Sequence, residues 1–221
     1  MKFFEYSLAN VDKISKALGQ TLYMLLVSAI FAGIFGLIIG IGLVLTNQGG
    51  ILENKKFYSV LDKITNLFRA IPFIILVAFI APITKFIVNA RIGTTAAIVP
   101  LVFSATPFFA KQVEQALAEI DKGVIEASLA MGNSPMEIIT SVYLREGLPA
   151  LIRASSITLI SLLGLTTMAG MVGGGGIGNL AIAVGYNRYK DDIVLISVLI
   201  ILIIVYIIQA LANYLVRKTS H

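Results

Sequence analysis

The sequence predicts an all-α protein, a polytopic membrane helical bundle of about five transmembrane helices, with one long polar interruption between the third and the fourth. Three observations predict it. Hydrophobic residues make up 57% of the chain and charged residues only 13%, whereas a soluble domain carries about 25% charged residues. The apolar runs are spread evenly over the 221 residues, so the chain reads as a single domain with no soluble part to split off. Five stretches approach the roughly 20 apolar residues that an α-helix needs to cross a hydrocarbon layer of about 30 Å.

Composition also excludes several chemistries. There is no cysteine, which removes disulfides, thiolate nucleophiles and Cys-ligated metal or iron–sulfur sites. The one histidine is His221, so a His-based metal site, a His general base and a Ser-His-Asp triad are absent. The formal charge of +5 comes without a run of Lys and Arg interleaved with aromatics; juxtamembrane lysines facing anionic lipid explain it, and nucleic acid is not expected as a partner. Mixed charges (Lys2, Glu5, Asp12, Lys13, Lys16) precede the first apolar segment, which is longer than a signal-peptide core and lacks a small-residue cleavage site, so it is expected to remain as an anchor.

The first expected span runs from Leu22 to Leu45. Its glycines at 33, 36, 40 and 42 include a Gly36-x-x-x-Gly40 pair that permits close approach of another helix. The second, Ala70 to Phe86, and the third, Thr94 to Ala110, contain Pro72, Pro82, Pro100 and Pro107, which bend helices but are tolerated where neighbours and hydroxyls satisfy the freed carbonyls. Arg69, at the edge of the second span, is expected to snorkel to headgroups. The fourth span, Ala154 to Val172, holds Thr166, Thr167 and Met168, two hydroxyls and a pliable thioether that either line a pathway or pack helices. The glycine run at 173–176 follows a membrane helix rather than a strand and lacks a Gly-Lys-Ser/Thr ending, so it is read as a flexible external loop and not as a phosphate site. The fifth span is Ile193 to Leu215.

The polar interruption covers 111–150. Lys111, Glu114, Glu119, Asp121, Lys122, Glu126, Glu137, Arg145, Glu146 and Arg153 fall in it or at its edge, and each would cost about 2.5–3.5 kcal/mol at a membrane helix centre, so this segment stays in water. Its local signals predict two short helices. Asp121 caps the first, which runs to Met131 and stops where Gly132 supplies a left-handed residue. Ser134-Pro135-Met136-Glu137 forms a capping box with proline at the first helical position. Ile138, Ile139, Val142 and Tyr143 then give an apolar stripe, which needs either the protein's own bundle or a soluble partner to pack against. With five spans the termini lie on opposite sides. One orientation places ten Lys and Arg inside (Lys55, Lys56, Lys63, Arg69, Lys111, Lys122, Arg145, Arg153, Arg217, Lys218) and seven outside, favouring an outside N-terminus and an inside C-terminus.

The segment Glu126-Ala127-Ser128-x-x-x-Gly132, followed after nine residues by Val142 and then Leu144, resembles the EAA loop of bacterial ATP-binding-cassette (ABC) importer permeases. It departs from that pattern at one place, Arg145, where the pattern has proline; a Leu148-Pro149 pair follows. Phe68 to Leu76, Glu126 to Met136, and Gly173 to Gly178 with Tyr186 narrow the resemblance to the methionine-import permeases, over the chain from about residue 20 to the end.

That resemblance implies a single permease domain over 1–221 in the bacterial cytoplasmic membrane, working as a homodimer. It implies as partners two ABC ATP-binding subunits and an extracytoplasmic methionine-binding protein. The loop at 111–150 would be the cytoplasmic coupling loop, with Glu126, Ala127, Ser128 and Gly132 seated in a groove of the ATPase. Thr166, Thr167 and Met168 would line or gate the pathway at the dimer axis. ATP and magnesium would belong to the partner, leaving this chain without a cofactor, a metal or a catalytic residue. Two other readings are a permease for another small amino acid, and an intramembrane enzyme built on Asp62, Glu126 or Ser155, which lacks a histidine, paired intramembrane carboxylates or a Ser-Lys pair.

Overall fold

The computed structural model describes residues 9–219; Lys2, Glu5 and His221 lie outside the described residues. Among the described residues the regular structure is entirely helical. Four helices among the described residues are long and apolar enough to cross a membrane: α1 (Val11–Thr46), α5 (Thr94–Ala118), α9 (Leu148–Ala169, extended by a wide turn to Gly174) and α11 (Asp191–Thr219). Helix α5 runs unbroken through Pro100 and Pro107. It also extends past the expected end at Ala110 and carries Lys111 and Glu114 with it.

The remaining expected span, Ala70 to Phe86, is helical but interrupted. It consists of α3 (Phe73–Phe79) and α4 (Ala81–Val88), each about 10–12 Å long and too short to cross alone. Pro72 precedes the first, Pro82 sits in the first turn of the second, and the chain breaks at buried Ile80 with φ −93° and ψ 7°. Proline has no N–H and fits only a first helical turn. It therefore starts a new helix here instead of bending an old one.

The chain divides into two compact units. The first comprises the chain up to Phe31, Ile71–Ala105 and Leu159–Ile208. It holds α3, α4, the glycine-rich turn and α10 (Gly176–Asn179), around a core in which Ala17, Ile177, Leu180 and Ile193 are buried against Ile14, Leu18 and Val184.

The second unit comprises Ala32–Ala70, Thr106–Thr158 and the chain from Gln209 onward. It contains the amphipathic helix α2 (Lys55–Ala70) and the polar segment, folded as α6 (Lys122–Ala130), α7 (Pro135–Ile138), a π-helical turn (Ile139–Tyr143) and α8 (Leu144–Glu146). The Gly36/Gly40 pair packs as its spacing predicts. A Cβ on Gly36 would stand 3.0 Å from the Thr106 carbonyl oxygen, and one on Gly40 2.6 Å from Val113 Cβ. The apolar stripe of the second short helix also finds its partner here, because Ile138, Val142 and Tyr143 are buried with Val44, Leu45, Val113, Leu117 and Leu151. Of the two packing choices open in the sequence, the protein's own bundle is the one taken.

Candidate coupling loop and gate segment

The polar segment is held by local hydrogen bonds at each expected cap. The Asp121 carboxylate accepts from the Gly123 N–H at 2.7 Å and starts α6. Gly132, at φ +83°, ends it. The Gly132 N–H donates to the Leu129 carbonyl (2.9 Å) and the Asn133 N–H to the Ser128 carbonyl (3.3 Å), the paired bonds of a Schellman C-cap. Ser134 and Glu137 then form the reciprocal box: the Ser134 N–H donates to Glu137 Oε2 at 2.7 Å, and the Glu137 N–H to Ser134 Oγ at 3.4 Å. The Ser134 side chain and N–H together hold the Glu137 carboxyl below its ordinary value. Burial pushes the Tyr143 phenol above its own. The first short helix is thus capped at both ends, and the second is capped at its N-terminus and continues into the π-helical turn.

Its outward surface differs from the residues singled out by the motif. Glu126 and Ala127 are exposed, together with Gly123 and Ala130, and these four fall on one face of α6 at helical spacing. Ser128 is turned away from that face. It is only 2% exposed and its Oγ accepts from Asn133 Nδ2 at 2.9 Å, so its small side chain closes the loop on itself. Gly132 supplies the corner conformation that no other side chain in the loop adopts. Next along the chain are exposed Met131 (74%) and Met136 (67%), two pliable apolar side chains. Sequence reasoning missed Gly123, Ala130 and the two methionines; the spacing of Gly123, Ala127 and Ala130 was the signal that could have found them. At the motif's departure, Arg145 is exposed within α8, and the corner is completed instead by buried Gly147, whose Cβ would lie 2.5 Å from Leu117 Cδ2.

The other predicted residues lie in the first unit. Thr166 is buried, with its hydroxyl donating to the Leu163 carbonyl at 2.7 Å; Thr167 is half-buried and bonds the same carbonyl at 3.3 Å; Met168 is exposed. Of the three, Met168 therefore presents its side chain outward, while both hydroxyls are satisfied inside their own helix.

The glycine run that follows corrects the expectation of a flexible loop. Gly174, Gly176 and Gly178 are buried. The Gly176 N–H donates to Gln20 Oε1 and the Ile177 N–H to Thr21 Oγ1, both at 2.8 Å. Gly173, Gly175 and Gly176 take positive φ, and a Cβ on Gly178 would sit 2.1 Å from the Thr167 carbonyl oxygen. Glycine is there for a tight reversal pinned to α1, which leaves no slack.

The residues of the enzyme reading are engaged elsewhere. Asp62 is ion-paired with Lys111 at 2.8 Å, the Ser155 hydroxyl donates to the Leu151 carbonyl at 2.8 Å, and Glu126 stands on the exposed face.

The chain is similar to several known proteins. Residues 33–221 match the family described as binding-protein-dependent transport system inner membrane component. The chain is 43% identical over 212 residues to the methionine import system permease protein MetP of Bacillus subtilis, covering 95% of this chain and 96% of that protein. It is 49% identical over 151 residues to the D-methionine transport system permease protein MetI of Escherichia coli, covering 68% of this chain and 70% of that one. Among solved structures, a chain from inward-facing conformations of the MetNI methionine ABC transporter superposes with a TM-score of 0.93 at 42% identity, over 96% of this chain and 98% of that one. The chain belongs to the family of binding-protein-dependent transport system inner membrane components.

Proposed function

We propose that this chain is the permease subunit of an ATP-driven methionine importer: two copies form the translocation pathway, and an ABC ATPase drives it through the loop between α5 and α9. The observation that carries the coupling role is the state of the loop's two faces. One face, Ile138, Val142 and Tyr143, is spent on the protein's own core. The other, Gly123, Glu126, Ala127 and Ala130 flanked by Met131 and Met136, is exposed and small-featured. Small residues let a helix sit deep in a groove of an ATP-binding subunit, and Glu126 offers a carboxylate at the rim. Hydrolysis belongs to that subunit, with ATP and magnesium bound there; this chain is a transport subunit and not an enzyme. The methionine assignment is supported by the names of relatives 43–49% identical to this chain.

The loop is cytoplasmic in this reading, the N-terminus outside and the C-terminus inside, and an extracytoplasmic methionine-binding protein delivers substrate to the opposite side. Thr166, Thr167 and Met168 belong to the gate region, with Met168 the side chain free to meet its counterpart on the second copy.

The direct test is co-purification with the candidate ATPase after Ala127→Trp, a change on the outward face that leaves the inward face of α6 alone. Loss of the ATPase, with the permease still monodisperse, is the expected result. Retention of a stoichiometric ATPase would remove the docking surface from the account.

A further inference from the structure

The second unit contains a charge network that neither the motif nor the docking face uses. On α5, Lys111 Nζ donates to Asp62 Oδ1 of α2 at 2.8 Å and to Glu114 Oε2 of its own helix. The Tyr58 hydroxyl of α2 donates to Glu114 Oε1 at 2.9 Å. All three ionic side chains are largely withdrawn from water, with 16% of Lys111, 27% of Asp62 and 9% of Glu114 exposed. Tyr58, Asp62 and buried Thr65 lie at spacings of four and three on one face of α2, so this network is how that face meets α5.

Two features argue that the network does more than pack. Taking a cation and two carboxylates out of water is costly, and an apolar contact of similar volume would join two helices as well or better. What the ionic geometry adds is a fixed register, because Lys111 bridges both helices at once and Tyr58 closes the circuit. Its position adds the second argument. Lys111 lies about 26 Å along α5 from its first residue, Thr94, close to the length that crosses a hydrocarbon layer about 30 Å thick. Glu114 is only seven residues from Asp121, the cap of the coupling loop. A displacement of the loop therefore reaches the network before it reaches the rest of α5.

We infer that Lys111 is a positioning residue for coupling: through Asp62, Glu114 and Tyr58 it locks α2 to the loop end of α5, so that a push on the loop moves both helices as one. The inference rests on the importer reading above. When the tie is cut, the loop still docks and the ATPase still turns over, but α2 no longer follows.

The test uses the complete transporter, permease with ATPase and binding protein, in proteoliposomes, and reads labelled methionine accumulated per ATP hydrolysed. Lys111→Met is compared with the conservative Lys111→Arg and with a neutral triple variant, Lys111→Met, Asp62→Leu and Glu114→Gln, which leaves no uncompensated buried charge. Tyr58→Phe removes a single hydroxyl and serves as the mildest cut. The ATPase should co-purify with all of them. Methionine per ATP should fall roughly tenfold in Lys111→Met and in the neutral triple, fall less in Tyr58→Phe, and be largely kept in Lys111→Arg. If the triple and Tyr58→Phe both keep the wild-type ratio, the network is packing alone and the inference is overturned. Failure of the wild-type complex to accumulate methionine would instead overturn the importer reading on which it rests.

Discussion

Replacing Gly40 by alanine adds one methyl group where α1 meets α5 in the second unit. The new Cβ would stand 2.6 Å from both Cβ and Cγ1 of Val113 and 2.7 Å from the Ala110 carbonyl oxygen. Carbon atoms pack best at about 3.5–4.0 Å, so the overlap is about 1 Å against two carbons of Val113, with the Ala110 carbonyl oxygen crowded as well. Neither neighbour yields easily: Val113 is fully buried and β-branched, and the other atom is backbone. The helices must separate, at about 1–3 kcal/mol for such overpacking. Gly33→Ala is the control, because nothing lies within 4 Å of its added Cβ. Both substitutions gain about 0.8–1 kcal/mol of helix propensity, which cancels in the comparison and leaves the packing cost. At about 2–4 °C per kcal/mol for a chain of this size, Gly40→Ala should melt roughly 2–12 °C below Gly33→Ala in detergent, with Gly36→Ala between them because its added Cβ would be less crowded, 2.9 Å from Phe109 Cδ1 and 3.0 Å from the Thr106 carbonyl oxygen. Equal melting of Gly40→Ala and Gly33→Ala would refute close helix approach at this pair.

Three further outcomes follow from the caps and the pinned turn. Gly132→Val should fray the end of α6, since a side chain at φ +83° costs about 1–2 kcal/mol, and Gly132→Asn should recover much of it; proteolytic nicking within the loop reports both. Thr21→Val removes the acceptor of the buried Ile177 N–H, costing about 1–3 kcal/mol, and should speed hydrogen exchange at that amide while leaving the loop between α5 and α9 unchanged. The Glu137 carboxyl is held below its ordinary value by Ser134, so its share of the capping box is complete above the ordinary carboxylate range near about 4.3 and is lost as pH falls through the lowered folded value. A spin label at Thr140 should gain mobility over that acidic range, and Glu137→Gln should weaken the dependence.

What the sequence revealed was mostly local in origin. Asp121, Gly132, Ser134 and Glu137 act within one or two turns of themselves, so their residue types and spacing sufficed to place both short helices. The Gly36/Gly40 pair was legible for a similar reason, as two small residues spaced four apart. The break at Ile80 was half legible: Pro72 and Pro82 were visible, but nothing in their spacing told a bend from a restart. The pinned glycine turn was not, because its acceptors, Gln20 and Thr21, stand 156 residues away in the chain. The same holds for the tie between Lys111 and Asp62, separated by 49 residues. Ser128 shows the limit of a motif, which gives residue types at positions without saying which way a side chain faces.

The most direct test of the central claim is ATP-dependent accumulation of labelled methionine in proteoliposomes carrying this chain, its ATPase and its binding protein, with wild type measured beside Ala127→Trp. The account predicts accumulation by wild type, none without ATP, and loss of both accumulation and bound ATPase in the variant. Wild type without accumulation, or a variant that accumulates methionine undiminished, would contradict it.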